Sequence, residues 1–496
     1  MPWTSFAIDP VSPDGFQDQI AAYVRSAILR GVLKTGVAVP STRVLARDLG
    51  VARQTVVLAY ARLVAEGYLD SKPGSATRVS AVLPENLLHT ARDGTRAARS
   101  ARQAPAAPLS LRGAATARLP VTPARPGAGL LAPGIPALDE FPYRVWERLA
   151  AEVWRGRPTG LLGYAEPGGH RPLRAAIAAY LAPVRGIACS PCQVVVTSGS
   201  QQAIALAAQM LADPGEVAWV EDPAYVAGRH ALAAAGLRTV PVPVDGEGLD
   251  AAAGERLAPW ARLVLVTPSH QYPLGAVMSL RRRLSLLDWA RRACAWVIED
   301  DYDSEFRYDG RPLQPLAALE PGSGRVVYVG TFSKVLAPGL RFGYLVLPPG
   351  LVDAFMAARA LSDRQPPGPE QAVLAEFIHR GHLARHVRRM RGLYEARRDA
   401  LSAAVMRHAG GLLAIVPPPC GLHVVGDLLQ PNLSDVDAYR CALQRGLQTP
   451  PLSAYYANAP ARSGLLLGFA NSAEGVMDSS VRSLVAALEV ASKCRG

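Results

Sequence analysis

The sequence predicts two folded parts of different class: a small module of three helices and a β-hairpin, then an α/β domain on a largely parallel sheet. Three observations predict this. Helical periodicity holds near the N-terminus, a stretch rich in Ala, Arg and Pro follows, and beyond it helical patterns alternate with short unbroken apolar runs. A chain of 496 residues also exceeds one ordinary core. Its composition, 49% hydrophobic and 19% charged, suits a globular protein, and the net charge of +12 favours a polyanionic partner without separating nucleic acid from small anions. No apolar run approaches the roughly 18 residues of a membrane helix. The N-terminus, MPWTSFAIDP, lacks the basic-then-apolar order of a signal peptide, so a cytoplasmic location without membrane contact is expected. Cysteines stand at 189, 192, 294, 420, 441 and 494, too scattered for a disulfide scaffold. Cys189 and Cys192 have CxxC spacing but no second pair, and read as a surface turn; no metal site is expected.

The first module spans residues 13–82. Phe16, Ile20, Tyr23, Val24, Ala27 and Ile28 share one helical face. Ser41 caps a short second helix that turns Val44, Leu45 and Leu49 inward and ends at Gly50. A third helix from about Arg53 carries Val56, Val57, Tyr60, Leu63 and Val64 at core spacing, and two short strands flank a turn-rich tip at Lys72–Ser75. Residues 83–128 contain seven arginines against only Glu85 and Asp93, with no periodicity, and read as a flexible basic linker. In residues 129–496, the runs Val194–Val196, Leu263–Val266, Trp296–Ile298 and Val326–Val329 are expected of strands buried on both faces.

The second and third helices have helix-turn-helix spacing, which places Ala52, Arg53, Gln54 and Thr55 at the start of a helix able to enter the major groove. A helical interaction module with solvated arginines has the same spacing. In the α/β part, each apolar run ends in a polar cluster, where open sheets bind ligands. Thr197–Gln202 opens a helix and offers a phosphate cradle, Glu299–Asp303 offers carboxylates, and Gly330–Lys334 offers an amine, with Arg341 beyond. A surface lysine is the plainer reading of Lys334 alone; the three clusters together ask for more.

The N-terminal motifs Pro40-Ser41-Thr42-Arg43, Leu49–Val56 and Leu63–Leu69 resemble the GntR-type winged-helix signature, which implies DNA contacts from Arg43, Arg53, Thr55 and Gly74. Most of residues 135–470 resembles fold-type I pyridoxal-phosphate-dependent enzymes of aminotransferase type. That resemblance implies pyridoxal 5'-phosphate as cofactor, Lys334 as its Schiff-base lysine, Ser333 beside it, and Arg341 on the phosphate. It further implies Ser200 and Gln201 in the phosphate loop, Asp300 facing the ring nitrogen, Tyr302 at the ring hydroxyl and Tyr225 stacked on the ring. It also implies a homodimer with Gly163-Tyr164 near the partner's site. The two parts in this order resemble MocR-type transcription regulators, among them the PdxR type that controls vitamin B6 synthesis. Pro136–Pro142, Pro268–Pro273 and Glu299–Phe306 match their motifs.

Two departures bear on function. Aminotransferases carry Asn before a Pro-Thr-Gly turn, whereas here the turn reads Tyr272-Pro273-Leu274-Gly275, leaving His270 or Tyr302 to face the ring hydroxyl. Leu466 stands where they place the arginine that grips a substrate carboxylate, with Arg462 the nearest alternative. A leucine cannot pair a buried carboxylate, which costs several kcal/mol to leave alone. The expectation is therefore a regulator that binds operator DNA and uses its aminotransferase-like domain to sense the cofactor, alone or joined to an amine or amino acid, rather than an enzyme. The alternatives are an active aminotransferase carrying a DNA-binding domain, and a decarboxylase or lyase on the same fold.

Overall fold

The computed structural model describes residues 6, 8–10, 12–72, 75–81, 109–120, 129–310, 314–320, 324–458 and 462–493. The chain divides into two compact units, Met1–Pro108 and Leu109–Gly496.

In the first unit, α1 (Phe16–Leu29), α2 (Thr42–Leu49) and α3 (Arg53–Ala65) precede a short antiparallel pair, β1 (Leu69–Asp70) and β2 (Arg78–Val79). Ser41 caps α2 through the amide of Val44, and Gly50 ends it in the left-handed region at φ 66°. The core follows the expected faces at Ile20, Val24, Ala27, Ile28, Leu45, Val56, Tyr60 and Leu63 and departs from them elsewhere. Phe16, Val44 and Val64 are exposed, Leu49 and Val57 are half-buried, and Ala21, Ala46 and Ala59 occupy buried positions. Close packing of three short helices favours small residues at the contacts, which a reading of bulky apolar positions passes over. Arg25 and Arg62 both bond Glu66, and Arg62 also reaches Asp18, tying α1 to α3.

In the second unit, the stretch read as a linker carries a short helix, α4 (Leu111–Ala117), capped by Ser110 and followed by Pro120. The main sheet has the order β3-β10-β9-β8-β7-β4-β5-β6, with β3 (Val194–Thr197), β4 (Val217–Asp222), β5 (Arg238–Asp245), β6 (Gly248–Leu249), β7 (Leu263–Val266), β8 (Trp296–Asp301), β9 (Val326–Thr331) and β10 (Gly343–Val346). Strands β5, β4, β7, β8 and β9 run parallel, while β10 is antiparallel to both β9 and β3. The carboxyl ends of β3, β4, β7, β8 and β9 therefore share one edge. Apolar clusters cover both faces of the sheet, which is why β3, β7 and most of β9 are unbroken apolar runs. A smaller antiparallel sheet, β11 (Leu413–Ile415), β12 (His423–Leu428) and β13 (Gly464–Gly468), completes the unit. No helix among the described residues is long and apolar enough to cross a membrane.

One buried ion pair anchors the sheet edge that matters. Arg185, at the end of α5 (Arg171–Arg185), meets Asp301 at 2.5 Å with both side chains buried, and Asp301 also accepts from the Tyr328 hydroxyl at 2.7 Å. Removing one partner of such a pair strands a buried charge. Arg185→Met is expected to destabilise the C-terminal unit by about 3–5 kcal/mol, read as a lowered urea midpoint of its unfolding.

Candidate functional sites: a cavity at the sheet edge and an exposed helix start

The edge where the strands end encloses a cavity of about 180 Å³. Each wall comes from a different strand end. After β3, Gly199 takes φ 88°, and α6 (Ser200–Leu211) begins there with first-turn amides that have no acceptor within the helix. Arg341, just ahead of β10, lies across this turn and donates to the Ser198 carbonyl at 2.7 Å. A Cβ on Gly199 would stand 3.1 Å from its guanidinium, so the glycine lets cation and amides converge. Among the described residues Arg341 has no carboxylate partner, and together with the helix start it could hold a phosphate-sized anion.

After β9, Ser333 and Lys334 enter the cavity. The Lys334 ammonium donates to the Gly134 carbonyl at 2.7 Å, and a Cβ on Gly134 would lie 3.1 Å from that nitrogen. Burial pulls the Lys334 pKa down, against the raising pull of Asp303 and Asp300, which increases the neutral, nucleophilic fraction. After β8 comes Asp300. Burial, reinforced by Asp301, pushes its carboxyl up to about 7, with Lys334 opposing. Its Oδ1 is buried without a hydrogen-bond partner among the described residues. A protonated ring nitrogen in the cavity would satisfy that oxygen and hold the carboxylate ionised. After β4, Tyr225 bonds Gln201 at 3.3 Å, and Gln201 donates to the Ala227 carbonyl at 2.8 Å.

The cavity thus brings together Ser200, Gln201, Tyr225, Asp300, Tyr302, Ser333, Lys334 and Arg341. It also contains residues that motif reasoning did not reach. Gly134 lies two hundred residues from the lysine it touches. Thr267 follows β7 and donates to buried Glu221 at 2.6 Å, and Tyr272 stands edge-on to Tyr225 with ring centroids 6.0 Å apart. Tyr272 sits at the expected asparagine position, and its replacement of a polar amide was the available signal. Of the two residues expected near the ring hydroxyl, Tyr302 lines the cavity, while His270 does not and has its Nδ1 2.9 Å from the phenol oxygen.

Leu466, on β13, is fully buried with Val425 and Leu452, packed against Tyr272 and Tyr455. Arg462 does not line the cavity; it is bound twice to Asp427 at 2.7 Å. Cys192 donates to Ser190 at 3.2 Å in the turn before β3.

In the N-terminal unit Arg53 opens α3 and Arg43 lies in the first turn of α2, both exposed. Neither pairs with a carboxylate among the described residues; Arg53 makes one long bond, 3.4 Å, to Thr42. Thr55 is half-buried one turn in. Gly74 lies outside the described residues.

A helix-turn-helix with an exposed arginine at the start of each of its two helices, carried on a chain with an aminotransferase-type cavity, defines a helix-turn-helix transcription regulator with an aminotransferase-like domain. The model of bacterial regulatory proteins of the gntR family matches residues 16–79, and that of aminotransferase class I and II matches residues 132–461. The probable rhizopine catabolism regulatory protein MocR of Rhizobium meliloti is 40% identical over 466 residues, 94% of this chain and 92% of that protein. The pyridoxine biosynthesis regulator PdxR of Corynebacterium glutamicum is 32% identical, over 95% of both chains. Solved structures agree on the second unit. Kynurenine aminotransferase of Pyrococcus horikoshii superposes with a TM-score of 0.67 at 28% identity, covering 73% of this chain and 90% of that one. The α-aminoadipate aminotransferase LysN of Thermus thermophilus, in complex with N-(5'-phosphopyridoxyl)-L-leucine, gives 0.67 at 29% identity, covering 73% and 92%. The chain belongs to the MocR-type family of GntR transcription regulators.

Proposed function

We propose that this regulator binds pyridoxal 5'-phosphate in the cavity at the sheet edge and that occupancy of the cavity alters its affinity for operator DNA. The observation that carries the cofactor reading is the pairing, in one cavity, of a buried lysine of lowered pKa with a carboxylate oxygen that has no hydrogen-bond partner among the described residues. When bound, the cofactor supplies an aldehyde and an electron-withdrawing pyridine ring. Lys334 would hold it covalently, Arg341 and the start of α6 would bind its phosphate, Asp300 would face its ring nitrogen, and Tyr225 would cover its face. Gly74 keeps its proposed DNA contact by resemblance alone. A homodimer in the cytoplasm follows from the family reading, two helix-turn-helix modules serving paired half-sites.

Sensing rather than turnover is supported by the surroundings of Leu466, which packs against the cavity residue Tyr272. With Leu466 among Val425, Leu452 and Tyr455, and with Arg462 engaged by Asp427, no cation among the described residues lines the cavity beyond Lys334 and Arg341. An amino acid would leave its carboxylate unpaired there, at a cost of several kcal/mol. The retained lysine and aspartate also suit the second reading, an active aminotransferase tethered to DNA.

Operator binding by cofactor-free protein, measured as pyridoxal phosphate is added without any amino acid, separates the two. A coupling of about 1–3 kcal/mol, roughly 5- to 150-fold in affinity, is expected, with operator DNA changing cofactor affinity by the same factor. Unchanged operator affinity, together with rapid keto-acid release from a common amino acid, would establish the enzyme instead.

A further inference from the structure

We infer that Asp303 and His270 are positioning residues that fix the direction in which the Tyr302 hydroxyl donates, turning its proton into the cavity toward the ring hydroxyl of the cofactor. The inference rests on the cofactor reading above.

One nitrogen serves two oxygens here. His270 Nδ1 lies 2.9 Å from the Tyr302 oxygen and 3.0 and 3.2 Å from the two oxygens of Asp303. An ionised carboxylate only accepts, so beside it Nδ1 has to carry the proton. That single N–H is shared between the carboxylate and the phenol oxygen. Tyr302 then accepts from His270, and its own proton points elsewhere, on the side where the ring lines the cavity. The opposite tautomer is disfavoured independently. His270 Nε2 is buried and has no partner among the described residues, so a proton placed there would bury an unpaired donor. The ring has no room to swing away either, since a Cβ on Gly421 would lie 2.0 Å from its Cε1. His423, with its ring centroid 5.2 Å off, spends its Nε2 on the Pro273 carbonyl at 3.0 Å and offers no competing donor.

The charged groups nearby leave this assignment standing. Burial pushes Asp303 upward, and His270 is the strongest influence holding it down, with Asp301 raising it and Lys334 lowering it. Burial above all, and then Asp303, Tyr272, Cys420 and Asp300, disfavour ionisation of Tyr302, so it remains a donor.

A hydrogen bond donated to the cofactor's ring oxygen stabilises the anionic form of that oxygen. Without it the oxygen becomes more basic, and the proton it shares with the lysine-derived nitrogen is held to higher pH. The readout is the pH midpoint of the absorbance transition of the full-length protein loaded with pyridoxal phosphate. Tyr302→Phe should raise the midpoint by about one unit, a tenfold change in the equilibrium. Asp303→Asn should raise it comparably, because the amide, turning its N–H to Nδ1, drives the ring proton to Nε2 despite the missing partner there, and Nδ1 then competes for the Tyr302 proton. Adding Asp303→Asn to Tyr302→Phe should change nothing further, since both remove the same bond. His270→Phe combined with Asp303→Asn should return the midpoint toward wild type, because the capturing nitrogen is gone; a merely structural role for Asp303 gives no such rescue. Additive shifts, an unmoved midpoint in Asp303→Asn, or absence of rescue would overturn the inference. A wild-type protein that forms no coloured complex would instead overturn the cofactor reading, and this inference with it.

Discussion

Lys334→Ala should abolish the covalent attachment of pyridoxal phosphate completely. The chain makes this test unusually clean, because its lysines are Lys34, Lys72, Lys334 and Lys493 alone. The first two belong to the N-terminal unit and Lys493 ends the C-terminal helix, so Lys334 is the one that lines the cavity. It is also the one whose pKa burial lowers, and a neutral amine is what attacks an aldehyde. Borohydride reduction followed by peptide mapping should place one pyridoxyl group per wild-type chain on Lys334 and none anywhere on the variant. The variant should still bind the cofactor without a covalent bond, more weakly, through Arg341 and the amides at the start of α6. It should also bind operator DNA in the cofactor-free state as the wild type does, because the helix-turn-helix is a separate compact unit. An adduct on Lys34, Lys72 or Lys493 of the wild type would refute the placement of the site.

Much of this site was legible because chemistry follows topology in an open sheet. Lys334, Asp300 and Ser200 each stand within a few residues of an unbroken apolar run, and each run ends at the same edge. What stayed hidden has a common physical cause, the lack of any local signal. The Gly134 carbonyl that receives Lys334 comes from a distant loop, and no periodicity links the two. Tyr302 and His270 are equally plausible donors along the chain, and only the fold shows that the first lines the cavity and the second does not. Strands β4, β5 and β10 went unmarked: β5 contains prolines at 241 and 243, and β4 ends in two acids. In the N-terminal unit the helices were placed, but their inward faces were only partly read, because Ala21, Ala46 and Ala59 are buried while Phe16, Val44 and Val64 stay exposed. The helix Leu111–Ala117 lacks a buried face and so carries no hydrophobic pattern to be read.

Arg43→Ala and Arg53→Ala should each weaken operator binding by about 1–3 kcal/mol while leaving the cofactor spectrum unchanged. Both side chains are exposed, pair with no carboxylate among the described residues, and sit at the start of the two helices of the motif. A cation held in an internal ion pair would have to break that pair to bind DNA; these two do not, whereas Arg25 and Arg62 are engaged by Glu66 and should be nearly silent in DNA contact. The salt dependence then separates the two kinds of contact. An arginine on a phosphate releases counterions, so its loss should reduce the slope of log affinity against log salt by about one per contact and act alike on all sequences. An arginine on a guanine edge should leave more of the slope and relax specificity at one base pair. Because Arg53 is the first residue of α3, nearest the groove floor in this docking mode, its variant should show the larger loss of sequence discrimination, and Arg43 the purer loss of slope. Binding isotherms at several salt concentrations, on the operator and on an unrelated duplex, read both quantities at once. Unchanged affinity in both variants would mean that another face of the N-terminal unit meets DNA, and would move the recognition helix away from α3.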